Sequence, residues 1–133
     1  MKRFQLGDKV SVTKKFSETD INDFSKLSLD TNPLHLDVAY AKDSIFGQQI
    51  VHGMLVASLF SGLLGMKLPG KGSIYLGQSL SFTGPVFIGD KVTATVEIVN
   101  IREDKPIVTL RTYCEKSDGS IVIEGEAVVK VPR

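Results

Sequence analysis

The chain has 133 residues, 42% of them hydrophobic and 23% charged, with a net charge of +1. That length supports one domain over residues 1–133, large enough to build a core without disulfides or metal. The near-neutral charge gives no support for a nucleic-acid binder, the scattered lysines none for a polybasic membrane patch, and the lone cysteine, Cys114, cannot form an internal disulfide.

The opening MKRFQLGDKV lacks the apolar run of a signal peptide. A cytoplasmic protein is expected. In KVSVTKKF, Val10 and Val12 alternate as in a short strand. Ser17 and Asp20 form a capping box for a helix whose buried face is read as Ile21, Phe24 and Leu27. Asn32 precedes Pro33, which pushes it out of helical angles, so that helix ends before it. HLDVAYAKDSIFG allows a helical turn or two.

The most apolar segment, Ile50 to Met66, is shorter than a membrane span and holds His52. It reads as a core helix from His52 to Met66, apolar nearly all round and therefore enclosed. Gly53, Ala57 and Ser61 make a strip of small residues along it. KLPGKGS ends it. The rest reads as strands. KVTATVEIV places Val92, Ala94, Val96 and Ile98 on one face, and IVTLRTYCE does the same with Val108, Leu110, Thr112 and Cys114. SDGS, at Ser117 to Ser120, is a hairpin turn. IVIEGEAVVKV puts Ile121, Ile123, Ala127, Val129 and Val131 together. Clean alternation favours antiparallel pairing with one buried face. The segment long and apolar enough to cover that face is the central helix, so the expected class is α+β, a curved antiparallel sheet wrapped around a long helix.

The chemistry concentrates in LDTNPLHLDVAYA. Asp30 and His35 fall on a loop between two helical segments, where working side chains are commonly held. Together they can bind one water and move its protons. Gly53 opens the apolar helix, whose first N–H groups have no internal partners and lie at the positive end of the dipole. A carbonyl that develops negative charge can be held there. These parts suit hydration of an α,β-unsaturated thioester. The plainer reading, in which Asp30 and His35 only cap helices, remains open at this level.

The residues that carry this chemistry resemble the MaoC-like hydratases, the (R)-specific enoyl-CoA hydratase group. Their signature runs Asp-x-Asn-Pro-aliphatic-His, five residues, then Ala or Ser. Here it is Asp30, Asn32, Pro33, Leu34, His35 and Ala41. IVHGM, GDKVSVTKKFSETDINDFSKLS and LSFTGPVFIGDKV extend the resemblance over nearly the whole chain. The resemblance implies the hot-dog fold, no metal and no cofactor, and a homodimer or dimer of dimers with sites near the subunit interface. It implies that Asp30 and His35 activate water for addition to a trans-2-enoyl-CoA, giving a (3R)-hydroxyacyl-CoA reversibly. Gly53 would bind the thioester carbonyl, with Asn32 and Ser61 in support. Leu29 departs from the pattern, which usually has glycine there, a residue free to take angles closed to leucine.

Three functions are carried forward: the (R)-specific hydratase; a 3-hydroxyacyl-[acyl-carrier-protein] dehydratase; and a non-catalytic thioester-binding or partner subunit. A hot-dog thioesterase has less support. His52 is expected to pack at the helix start or line the entrance; a metal on His35, His52, Asp30 and Asp37 matches no ligand spacing. Lys67 and Lys71 are candidates to meet the phosphates of a CoA or carrier arm.

Overall fold

The computed structural model describes residues 3–132. Residues 1–2 and 133 of the one-domain reading lie outside that span. Strand β1 (Lys9–Lys15) is followed by helices α1 (Glu18–Ser28), α2 (Pro33–Leu36), α3 (Val38–Lys42) and α4 (Gly53–Met66). Strands β2 (Ile74–Gln78), β3 (Ser81–Phe82), β4 (Lys91–Ile101), β5 (Ile107–Lys116) and β6 (Ile121–Lys130) complete the described chain. They form one sheet in the order β1-β4-β5-β6-β2, with β3 also paired to β6. Every pairing is antiparallel. The sheet packs its apolar face on α4, the expected hot-dog arrangement.

The alternating strands behave as their pattern requires. Val92, Ala94, Val96 and Ile98 of β4 are buried, as are Val108, Leu110, Thr112 and Cys114 of β5. Burial pushes the Cys114 thiol up to about 12, so it stays protonated and inert. The turn at Gly119 closes the β5–β6 hairpin with a φ of 85°, in the region glycine favours. Ile74, Tyr75 and Leu76 are exposed on β2, at the edge of the sheet.

Three expectations change. Leu27 is 84% exposed, and Ser25 is buried instead. Steps of three fall about 60° short of a full helical turn, so the third residue rotates off the face while a step of four stays near it. In β6, Val122 is buried with Ile123 while Ile121 is only half-buried. Cys114 pairs with Ile123 but Glu115 with Ile121, so Val122 is the extra residue of a bulge that breaks the alternation.

The third concerns α4. Val56, Ala57, Phe60, Leu63 and Leu64 are buried against the sheet, but Met54, Ser58, Ser61 and Gly62 are exposed on the other side. The helix is enclosed on one face, because a single curved sheet reaches around only part of a cylinder about 10 Å across. The strip of small residues therefore divides: Ala57 is buried and Ser61 faces out. Among the described residues, no helix is long and apolar enough to cross a membrane.

Candidate active site

The loop after α1 is fixed by short-range bonds. Ser17 caps α1 and Asp20 completes the capping box, as the spacing predicts. At the other end Leu29 takes a left-handed conformation, φ 65° and ψ 14°. The angle that favours glycine is thus kept with leucine in place. The Ser28 hydroxyl accepts from the Asp30 N–H at 3.1 Å. The Asp30 Oδ1 accepts from the Asn32 N–H at 3.1 Å. Asn32 is the N-cap of α2 and its side chain accepts from the Leu34 N–H at 3.0 Å. Pro33 occupies the first helical turn, where its missing N–H costs nothing. Asp30 and His35 are thereby set at the two ends of a tight turn, with Asp30 Oδ2 uncommitted to it.

His35 is 8% exposed. Its Nδ1 lies 2.7 Å from the Ile50 carbonyl oxygen. A carbonyl only accepts, so Nδ1 carries the proton and the neutral ring keeps its lone pair on Nε2. The Gln49 side chain donates to the His35 carbonyl at 2.8 Å, and Ile50 N–H to the Leu34 carbonyl at 3.2 Å. The segment before α4 thus clamps α2 from behind.

Asp30, His35 and Gly53 line one cleft of about 510 Å³, together with His52, Phe82 and Thr83. Gly53 is the first residue of α4. A Cβ there would fall 2.6 Å from the Phe82 ring, so only glycine lets that ring close over the helix start. The free N–H groups of the first turn open on the same cleft at the positive end of the helix. A carboxylate, an imidazole lone pair and a helix-end donor thus share one concave space with an apolar wall.

Ser61 does not join them. It lines a neighbouring groove of about 600 Å³ with Tyr75, Leu76 and Gln78, and the two spaces share Met54. Asn32 is exposed and acts through the loop rather than from the cleft wall. Asp37 caps α3, bonding the Tyr40 N–H at 3.0 Å. Lys67 follows the last residue of α4, and Lys71 lies beyond it. A helix of 14 residues, about 21 Å, separates them from Gly53.

His52 is buried and packs at the start of α4, the first of its two expected placements, with its ring against the inner end of the cleft. Its ring stacks on His35, with centroids 3.8 Å apart and planes at 23°. Its Nε2 reaches the Asp30 carbonyl at 3.1 Å and the Ser25 hydroxyl at 3.2 Å. Phe24 meets it edge-on at 4.9 Å. Burial pulls the His52 pKa below the ordinary histidine value, so the ring is neutral. Nitrogen and oxygen atoms of Asp30, His35 and His52 lie within 4.8 Å of one another, the distance class of a metal site. The ring geometry does not fit one. Planes inclined by 23° at 3.8 Å separation converge far beyond the about 2 Å reach of a nitrogen–metal bond.

The positions of Asp30, His35 and Gly53 were legible in the sequence; the contacts of His52 and Phe82 were not. The adjacency of His52 to Gly53 was the available signal for the first. Nothing local marked Phe82, which β3 brings over Gly53 by pairing with β6.

The family described as "MaoC like domain" matches residues 3–119. A protein of Aeromonas caviae named (R)-specific enoyl-CoA hydratase is 58% identical over 128 residues, covering 96% of each chain. A solved structure described as the (R)-hydratase from A. caviae involved in PHA biosynthesis superposes with a TM-score of 0.97 at 56% identity, covering 99% of this chain and 100% of that one. A mitochondrial protein of Solanum lycopersicum named 3-hydroxyacyl-[acyl-carrier-protein] dehydratase is 42% identical, over 96% of this chain and 78% of its own.

Proposed function

The chain belongs to the MaoC-like domain family, and from that premise we propose that it is a hydro-lyase that adds water to a trans-2-enoyl-CoA to give the (3R)-hydroxyacyl-CoA, reversibly. The observation that carries the reading is the convergence of Asp30, His35 and the Gly53 end of α4 on one cleft. A water between the Asp30 carboxylate and His35 Nε2 gives up a proton to this pair as its oxygen bonds C3. The pair returns a proton to C2, so one water is consumed. Negative charge passes to the thioester oxygen as the enolate forms. The Gly53 N–H meets it, a contribution of about 3 kcal/mol to the barrier for such a donor. The configuration at C3 is set by the face of the double bond that the water held by Asp30 and His35 meets.

The substrate is an acyl thioester. CoA is the preferred carrier, on the name of the more similar relative. Acyl-carrier protein is the alternative that the Solanum relative favours. The same proposal takes two copies to pair through the uncovered face of α4 and the β2 edge, where Met54, Ile74 and Leu76 are exposed. The chain is taken as one cytoplasmic domain, in keeping with a free, buried Cys114.

The test is loss of enoyl absorbance on adding pure protein to crotonyl-CoA, with the product offered to an (R)-specific dehydrogenase. A (3R) product is expected. No turnover of crotonyl-CoA or of longer enoyl-CoAs, with turnover of the carrier-protein thioester, would transfer the assignment to the dehydratase. Binding without turnover of either would make the chain a silent partner subunit.

A further inference from the structure

His52 is placed where it does little for helix stability. It is the N-cap of α4, yet its side chain makes no capping bond. Serine, threonine, asparagine or aspartate would serve there better. Its Nδ1 is buried without a partner among the described residues, an unfavourable state for a polar atom. What the side chain does instead is touch both halves of the dyad. Nε2 holds the Asp30 carbonyl at 3.1 Å, and the ring face lies 3.8 Å from that of His35. Ser25 and Phe24, both on α1, fix the ring from the far side.

We propose that His52 is a positioning residue of this site: one ring ties the backbone beneath the Asp30 carboxylate to the plane of the His35 imidazole, setting the distance across which the water is held. This rests on the dyad reading above. Asp30 is exposed, and the short-range bonds that tie its carboxylate to Asn32 at the start of α2 all lie within the turn itself. The His52 ring adds a tie from outside that turn, from the start of α4.

Two variants separate the contacts. H52F keeps a ring against His35 and loses the donor to the Asp30 carbonyl. H52Q keeps a nitrogen donor at nearly the same reach and loses the ring. Steady-state kinetics on crotonyl-CoA should show kcat down about tenfold or more in each, with KM within about twofold, since a shift of the reacting groups affects the transition state and not ground-state binding. A merely structural histidine would lower the melting temperature and leave kcat of the folded enzyme unchanged, and that result overturns the proposal.

The second readout does not depend on turnover. In nitrogen-edited NMR, the His35 Nδ1–H should exchange with water faster in H52Q than in the native protein, because the ring that covers it is gone. An unchanged His35 signal overturns the proposal. If the native protein proves inactive on every enoyl thioester, the hydratase reading fails, and the NMR comparison still decides whether His52 positions His35.

Discussion

Replacing Leu29 by glycine should stabilise the protein. Leu29 is the one non-glycine among the described residues with a positive φ, 65°. For an L-residue with a Cβ this conformation costs about 1–2 kcal/mol. Leu29 is also 83% exposed, so removing its side chain gives up little packing. Against the relief stands the greater freedom of glycine in the unfolded chain, about 0.5–1 kcal/mol. The balance favours the variant by about 0.5–1 kcal/mol. For a chain of 133 residues that raises the melting temperature by about 2–4 °C. Urea unfolding at pH 7 and calorimetry would measure it. Leu29→Ala is the control, because it removes the exposed side chain and keeps the Cβ clash. Leu29→Asn should fall between, since asparagine tolerates left-handed angles. The kcat of Leu29→Gly should stay within about twofold of native, because the loop keeps its angles. A gain in Leu29→Ala equal to that in Leu29→Gly, or none in either, would refute the strain argument.

Asp30→Asn and His35→Ala should each lower kcat by about 10² to 10⁴ with circular dichroism unchanged, and a near-native rate in either would remove that residue from the chemistry. Gly53→Ala should fold, since Phe82 is half-exposed and its ring can swing away, but kcat/KM should fall about 10²-fold as the ring and methyl crowd the oxyanion position; adding Phe82→Ala should restore stability, and a normal rate in Gly53→Ala alone would dismiss the helix-end donor. Gly125→Ala is expected to destabilise by about 3 kcal/mol or more in urea, because its Cβ would lie 1.9 Å from the backbone carbonyl oxygen of Ser79 and backbone cannot swing aside; tolerance would mean that the β2–β3 link does not cross β6 there. The lowered pKa of His52 has a definite sign: the unfolded chain binds its proton more tightly, so stability is lost as pH falls below the ordinary histidine value of 6.5. The urea midpoint should drop between pH 7 and 5.5, and H52F should flatten that slope; an unaltered slope would clear His52 of the effect. The lowered pKa of Asp20, held by the Ser17 N–H, acts in a separate window, with its stability lost only below about pH 4.

The sequence by itself determined what depends on neighbours along the chain. The capping box at Ser17 and Asp20, the helix stop before Pro33 and the alternation in β4 and β5 follow from spacing, and the structure repeats them. The loop positions of Asp30 and His35 belong to the same class, since five residues and a proline fix them. Tertiary structure decided what depends on partners far away. The length and apolarity of α4 announce burial, but only the sheet decides that Val56 and Phe60 are covered and Ser61 is not. Val122 is buried because of a bulge set by the register of β6 on β5, which no periodicity reveals. Phe82 reaches Gly53, and His52 reaches both Asp30 and His35, because strand pairing and helix packing bring distant segments together. Local preferences set the angles of each segment in turn, whereas those contacts exist only once the sheet has closed around α4.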